Sequence, residues 1–268
     1  MATDEQTRDR LNRDLSIAEN VFQRVLQSRE EVLYISASVL TADFGFKQAV
    51  ASGDKGTIDS ALFNHGQRIK ADLMALVSLQ GNSITSVPET LIMEHDFPYP
   101  ESIDSVINQG GYTSLMMLNK QLYQVIMLTI DAPTPIAIAL IGFKLGDPTL
   151  ALLKDITQLE TTLQVYSQQN EIFKISTLSN PLAEQALAQI DERPSWLSIT
   201  ITNDTPYVSQ QFTLSDALEH QTVITLSEDA QLLFADFTSL QFNIAALGII
   251  VILLATLLAA LFSQRISK

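Results

Sequence analysis

The period of apolar and polar positions changes several times along the 268 residues. The first forty residues space their apolar side chains by four and three positions and contain no Gly or Pro, which predicts one long helix. The stripe consists of Leu11, Leu15, Ala18, Phe22, Val25 and Val32. A spacing near 3.5 residues favours packing against a parallel partner helix, although a single helix lying on its own domain would show a similar stripe.

Beyond this helix, helical and strand-like periods alternate in the same order twice. The first series begins with a helix that Thr57 would cap, and a hairpin, a short helix and three strands follow it. The second series begins with a helix that Asp147 would cap and Pro148 would open. The predicted strands are Leu73–Leu79, Ser83–Ser86, Tyr112–Leu118, Gln121–Ile130, Ile136–Leu145, Thr161–Ser167, Glu171–Thr177, Trp196–Thr202, Tyr207–Phe212 and Gln221–Leu226, and the short helices are Glu101–Asn108 and Pro181–Ile190. A last helix is expected from about Ser227. The short turns require antiparallel pairing, so the pattern predicts an α+β fold with two tandem antiparallel-sheet units behind a long N-terminal helix.

The elements divide the chain into six predicted segments. They are the N-terminal helix and loop at 1–56, a membrane-distal unit at 57–146, a membrane-proximal unit at 147–227, a juxtamembrane helix at 228–243, a transmembrane helix at 244–262 and the start of a cytoplasmic linker at 263–268. Long terminal helices on either side of two small domains suit a device that converts an event in those domains into movement of a transmembrane helix.

The predicted transmembrane helix, Ile244–Phe262, is almost wholly apolar and lies within an uncharged stretch from Phe237 to Gln264. At ~1.5 Å per residue it would span ~30 Å of hydrocarbon, and no polar face occurs at any helical phase. A buried core helix is the alternative, but it would ordinarily have only ~10 to 14 apolar residues.

The net charge of −14 accompanies a mean hydropathy of +0.17, and the predicted span accounts for this combination. All 30 acidic residues precede the span, whereas two of the 16 basic residues, Arg265 and Lys268, follow it. Such an acidic region argues against binding nucleic acid. The basic end predicts a cytoplasmic C-terminus, so that residues 1 to about 236 would lie on the other side of the membrane.

An exported region needs a signal peptide or an earlier span, and the first fifteen residues contain no apolar core of that kind. We therefore expect the sequence to be a piece of a longer chain. The alternative is a tail-anchored membrane adaptor whose cytoplasmic domain binds a partner protein. The absence of Cys excludes disulfides and thiol chemistry.

Three stretches, Asp43–Ile84, Ile141–Thr157 and Phe173–Ser179, resemble the double Cache sensory domains of bacterial inner-membrane receptors. The version most similar precedes HAMP, GGDEF and EAL modules in cyclic-di-GMP signalling proteins, and the resemblance covers about residues 15 to 268. It implies two periplasmic PAS-like domains between transmembrane helices, a dimerising N-terminal helix, and output by a cyclase, phosphodiesterase or kinase outside this sequence. The aromatic and arginine signature of amino-acid-binding members is not visible, since Leu197 and Ser198 follow the only Trp, Trp196.

Candidate ligand-binding residues lie in the membrane-distal unit. Arg68 could hold a carboxylate and Asp131 an amine, with Asp72, Tyr112 and Tyr123 nearby in the predicted elements. Alternatively, Arg68 and Asp72 form a helix-end pair and the tyrosines are half-buried strand residues. We expect His65 to lie on the inner side of its helix as a core residue with its hydrogen bonds satisfied, rather than to act as a pH sensor.

Catalytic chemistry has no motif in the sequence. His65, His95 and His220 lack metal-site spacing, and neither a glycine-rich phosphate loop nor a nucleophile elbow occurs. We therefore expect no enzyme activity, metal or cofactor. The sequence predicts the sensory region of a homodimeric transmembrane receptor that binds a small ligand, with the tail-anchored adaptor as the alternative.

Overall fold

The computed structural model describes residues 2–88, 96–178, 198–202, 205–217 and 220–229. It begins with one continuous helix, α1 (Ala2–Ala42), as predicted. Seven apolar residues along one side of α1 are buried: Leu15, Ala18, Phe22, Leu26, Leu33, Ala37 and Leu40. Because α1 lies on the chain's own sheets, its main apolar stripe contributes to the intramolecular core.

This placement corrects the predicted dimer contact. Leu15, Ala18 and Phe22 are enclosed by the chain itself, whereas Val25 is half-buried and Val32 is 54% exposed. The side chain of Leu11 lies outside the described residues. The spacing of the stripe therefore reflects a single amphipathic helix that packs on its own sheets, which was the alternative interpretation.

Two further helices follow where the sequence suggested a loop and one helix. They are α2 (Phe44–Ser52) and α3 (Lys55–Ile69). Asp43 caps α2 by accepting a hydrogen bond from the Phe46 N–H at 2.7 Å, and Gly53, at φ 71°, ends it in the left-handed region. Helix α3 begins two residues before the predicted Thr57, after Asp54, whose carboxylate accepts a hydrogen bond from the Thr57 hydroxyl.

The first sheet is antiparallel and has the strand order β2-β1-β5-β4-β3. Its strands are β1 (Leu73–Val77), β2 (Ser83–Val87), β3 (Gly111–Leu118), β4 (Gln121–Asp131) and β5 (Pro135–Lys144), and α4 (Pro100–Gln109) lies between β2 and β3 in sequence. Both of its faces are covered. One packs on α1, α2 and α3 through residues such as Ile126 and Leu128, and the other on α4 through residues such as Val125 and Met127.

The second sheet repeats the antiparallel arrangement with the order β7-β6-β10-β9-β8. Helix α5 (Asp147–Thr157) precedes it, with Gly146 rather than Asp147 at the cap position. The strands are β6 (Glu160–Ser167), β7 (Asn170–Ser176), β8 (Ser198–Thr202), β9 (Thr205–Ala217) and β10 (His220–Asp229). Two sheets after a long helix confirm the predicted α+β architecture.

The chain divides into two compact units. The first contains residues 1–180 and 210–226, and thus the whole first sheet together with most of the second. The second contains residues 181–209 and 227–268. Within the second unit, β8 pairs with the first part of β9, with Ser198 opposite Ser209 and Thr202 opposite Thr205. The predicted boundaries at 146/147 and 227/228 remain predictions.

The helix expected from about Ser227 does not begin there, because β10 continues through Asp229. The predicted helix Pro181–Ile190, the juxtamembrane helix and the span Ile244–Phe262 lie outside the described residues. Among the helices that the structure does describe, none is long and apolar enough to cross a membrane.

Candidate functional site

A groove of about 340 Å³ lies between α1 and the β3 edge of the first sheet, within the first unit. Strand β9 contributes one apolar side chain to it. The lining residues are Gln23, Leu26, Gln27, Glu30, Tyr112, Thr113, Ser114, Leu115, Gln124 and Leu214. A volume of this size accommodates a small organic molecule.

Gln124 is the deepest polar group of the groove. It lies in β4 opposite Leu115 of β3, and only 4% of its surface is exposed. Its Nε2 donates to the Leu26 carbonyl oxygen of α1 at 2.9 Å, which fixes the orientation of the amide. Its Oε1 is fully buried and accepts no hydrogen bond from any described residue, so this acceptor lies in the interior without a partner there.

The helix side of the groove follows from the spacing of α1. Gln23, Leu26, Gln27 and Glu30 have successive spacings of three, one and three positions and therefore share one side of the helix. Leu26 is buried against the sheet and Glu30 is half-buried at the rim. Glu30 is the one lining residue with a formal charge.

Arg29, the neighbouring residue in sequence, does not line the groove. Its Nη1 donates to the Thr149 hydroxyl oxygen at 3.1 Å, at the start of α5. Consequently no guanidinium or ammonium group among the lining residues is available to pair with an anionic ligand.

The opposite face of the first sheet is filled by side chains. Phe97 and Tyr99 are buried there with an edge-to-face ring contact at 5.9 Å, and α4 packs over the same face through Ile103 and Val106. The Tyr99 hydroxyl donates to the Met117 carbonyl oxygen at 2.8 Å and accepts from the Met117 N–H at 2.9 Å. Burial raises the pKa of Tyr99; the hydrogen bond to Met117 opposes this and Glu101 adds to it.

Two of the predicted ligand residues lie together near one end of β4. Tyr123 is buried opposite Lys144 of β5, and the Asp72 carboxylate accepts a hydrogen bond from the Lys144 N–H at 2.8 Å. Burial, and secondarily the Asp72 charge, raises the pKa of Tyr123. Asp72 is thus held by the backbone of β5, and Arg68 is exposed in the last turn of α3, where a cation is favourable beside free carbonyl groups.

The other two predicted residues lie elsewhere. Asp131 ends β4, eight residues beyond Tyr123, so at ~3.4 Å per residue the two are ~27 Å apart along the strand. Tyr112 lies opposite Met127 and packs against the core on the α4 face of the sheet, and it also lines the groove at the β3 edge. The five residues therefore do not form one cluster, and Tyr112 alone belongs to the groove.

Few features of the sequence indicated the groove residues. Gln124 interrupts a strand whose neighbouring positions are apolar, and a polar residue within such a run indicates a buried hydrogen bond or a site. Glu30 looks like one more charge on a helix. Within the described residues, no group of His, Cys, Asp and Glu is arranged to hold a metal ion. His65 is half-buried on α3, with Nε2 3.1 Å from the Ser36 carbonyl oxygen of α1.

Solved structures share this fold. A domain of a sensory box/GGDEF family protein from Vibrio parahaemolyticus matches with a TM-score of 0.56 and 10% identity, over 85% of this chain and 97% of that one. The sensor domain of the histidine kinase DctB from V. cholerae matches with a TM-score of 0.54 and 13% identity, over 82% of this chain and 98% of that one. The ligand-binding domain of the Pseudomonas fluorescens chemoreceptor CtaA was solved with L-isoleucine. It matches with a TM-score of 0.52 and 15% identity, over 87% of this chain and 97% of that one.

No known protein family and no curated protein matches the chain in sequence. The structural matches define the class of fold: sensor and ligand-binding domains of signalling receptors, with a double Cache-type arrangement. The fold expected from the resemblance is confirmed, and these identities establish fold alone.

Proposed function

We propose that this chain is the extracytoplasmic sensory region of a transmembrane signalling receptor. The observation that carries the proposal is that α1 contacts both sheets within the first unit. Leu33 and Leu40 of α1 pack with Ile126 of the first sheet, and the Phe22 ring meets the Phe212 ring of β9 edge-to-face at 5.9 Å. A ligand that shifts one sheet against α1 would therefore bias the position of the other.

A small ligand is the proposed input. Support comes from the groove and from the chemoreceptor domain of the same fold that was solved with an amino acid. The test is a thermal-unfolding screen of the full chain in detergent micelles with amino acids, carboxylates and amines. A compound at a hundred times its Kd raises the free energy of unfolding by ~2.7 kcal/mol. A screen in which no compound shifts the midpoint would contradict ligand sensing.

Membrane attachment through Ile244–Phe262 is the proposed output path. The uncharged stretch and the basic residues Arg265 and Lys268 support a helix that leaves the periplasm and ends in the cytoplasm. Fusing alkaline phosphatase, which is active only outside the cytoplasm, after Lys268 and separately after Ser227 tests the orientation. We expect activity from the second fusion only, in a gene that includes its natural upstream sequence.

A homodimer is the proposed assembly, with α1 as the contact. Since Leu15, Ala18 and Phe22 are buried, we assign the contact to the exposed side of α1. Ile17, Val32, Ile35 and Val39 lie on that side and are 54, 54, 63 and 61% exposed. A second copy of the same helix presents the same apolar residues, so a two-fold pairing would cover them.

Cyclic-di-GMP turnover is the proposed response, carried by a module outside this sequence. The structural match to a GGDEF family protein supports it. The coding sequence that follows Lys268 in the gene tests it directly. A GGDEF or EAL segment is expected, whereas a kinase segment would keep the sensory role and change the response.

A further inference from the structure

Helix α1 carries a second apolar stripe in addition to the buried one. Its seven positions are uncharged and are spaced alternately by four and three residues: Val21, Val25, Ser28, Val32, Ile35, Val39 and Ala42. Val32 and Val39 are 54 and 61% exposed, so this stripe does not belong to the chain's own core. A strict seven-residue repeat is the pattern by which two helices pack along their length, and Val at every second of these positions favours a parallel pair.

Helix α5 lies beside the N-terminal half of α1 within the first unit. At the start of α5, the Thr149 hydroxyl oxygen accepts the hydrogen bond from Arg29 of α1. At its other end, Lys154 pairs with Glu160 of β6 at 2.7 Å, in the second sheet. Since Phe22 of α1 also contacts the second sheet, α5 runs back along α1 in the antiparallel direction.

The side of α5 that adjoins α1 is apolar and partly exposed. Leu152 and Ile156 follow Thr149 by three and seven positions, so the three share one side of the helix. Leu152 is 46% and Ile156 51% exposed. Their rise of ~4.5 and ~10.5 Å beyond Thr149 places them beside Val25 and Val21, which precede the bonded arginine of α1 by ~6 and ~12 Å. The apolar surface of α1 therefore continues onto α5.

We propose that α5 forms part of the contact with a second copy of this chain, with Leu152 and Ile156 of one copy packed against α1 of the other. In a parallel pair, a residue that flanks the seam of one helix lies over the opposite flank of its partner, about one turn farther along. Ile17 flanks the stripe on the side away from α5 and is 54% exposed. The two-fold axis would bring it over Ile156 of the second copy.

This inference rests on the proposed homodimer and adds a second element to its contact. Because α5 connects β5 of the first sheet to β6 of the second, the second copy would touch the connection between the two sheets. The parallel orientation rests on the proposed membrane attachment, since both copies would enter the membrane from the same side.

The test uses disulfide formation between two copies, because the chain contains no Cys and engineered thiols are then the only ones present. Two differently tagged full chains, one with Ile17→Cys and one with Ile156→Cys, are co-expressed, purified in detergent micelles and mildly oxidised. We expect a cross-linked product that carries both tags. The matched control pairs Ile17→Cys with Ile172→Cys, at a 43% exposed residue of β7, and should give no such product.

Dimer affinity provides a second measurement that needs no oxidation. Ile156→Lys should weaken the dimer by about tenfold or more, because it replaces a buried apolar contact by a charge. Ile172→Lys places the same charge outside the proposed contact and should leave the affinity unchanged. Light scattering of a dilution series of each full chain in micelles measures the difference.

A Val32→Cys chain separates this inference from the homodimer on which it rests, because Val32 lies on the seam and should cross-link to its own copy. Cross-linking at Val32 without any between Ile17 and Ile156 would overturn the role of α5 and keep the homodimer. Equal cross-linking of Ile17 to Ile172, or an unchanged affinity of the Ile156→Lys chain, would also overturn it. Absence of both products would refute the homodimer as well.

Discussion

At the residue scale, the two faces of the first sheet differ in how completely a buried polar side chain is hydrogen-bonded. Tyr99 is buried and both of its hydroxyl hydrogen bonds go to the backbone of Met117, so it ties α4's leading segment to β3. Gln124 is equally buried on the other face, but only half of its amide is satisfied. The first arrangement satisfies every partner, whereas the second leaves one buried acceptor without a partner among the described residues.

Tyr99→Phe should lower the free energy of unfolding by about 1 to 3 kcal/mol at neutral pH, because the variant leaves the Met117 N–H and C=O groups without their partner. Since burial raises the folded-state pKa of Tyr99 above 10.0, the contribution of the protonated phenol is complete below pH 10.0 and is lost as pH rises through the raised value. Chemical denaturation at neutral and alkaline pH measures both effects.

The control for this change is Tyr34→Phe on α1, whose ring is 54% exposed. We expect a stability change within about 0.5 kcal/mol. Equal effects at the two tyrosines would show that the Met117 hydrogen bonds contribute nothing specific.

At the element scale, helix α3 shows how one side of a helix packs tightly while the other is free. A Cβ at Gly66 would lie 2.8 Å from Met74 Cγ of β1, whereas one at Gly56 would have Asp54 Oδ1 at 3.8 Å as its nearest neighbour. The same chemical substitution should therefore have opposite effects within one helix, and glycine at 66 permits the close approach of α3 to the sheet.

Gly66→Ala should destabilise the chain by about 1 to 3 kcal/mol through overpacking. Gly56→Ala should stabilise it by about 0.4 to 1 kcal/mol because alanine restricts the unfolded chain and suits a helix. Thermal unfolding of the two variants beside the wild type measures the difference. Stabilisation by both would mean that Met74 moves aside without cost.

The exposed side of α1 yields a prediction about assembly. Ile35→Glu should convert the proposed homodimer to monomer, because two carboxylates would face each other across the pair, with little effect on the fold of each chain. Light scattering of the full chain in micelles, corrected for detergent, measures the mass. Gln48→Glu adds the same charge on α2 and should leave the dimer intact. A wild-type chain that is monomeric at high concentration would refute the contact.

At the scale of the whole molecule, charge and hydrophobicity are separated along the chain. Acidic residues are confined to the region before residue 237, and the longest apolar run, Ile244–Phe262, follows it. This separation is what a water-exposed domain anchored by one helix requires. Within the first unit, α1 packs on the first sheet and contacts β9 of the second.

Leu254→Arg, near the centre of the proposed span, should release much of the chain from the membrane fraction, because a central arginine costs about 2.5 to 3.5 kcal/mol on insertion scales. Gln241→Arg, outside the apolar run, should leave the distribution unchanged. Fractionation after an alkaline wash measures both. Retention of the Leu254→Arg chain equal to that of the wild type would count against the span.

The sequence alone determined the elements and their order, because periodicity, caps and turn residues act locally. The long helix, both antiparallel sheets and the restart near Asp147 were predictable within a few residues. Errors arose at boundaries, where α2 was missed and β10 extends past Ser227, since short helices and strand ends depend on the partners that they pack against.

Only the tertiary structure decided what each apolar or polar side faces. An apolar stripe indicates that one side of a helix is buried. The burial of Leu15 and Phe22 shows that this side packs against the chain's own core. Likewise, Glu30 and Gln124 are 94 positions apart, and strand pairing together with the packing of α1 brings them to one groove. Local patterns report burial and period, whereas a site depends on contacts between distant segments, which no single stretch of sequence contains.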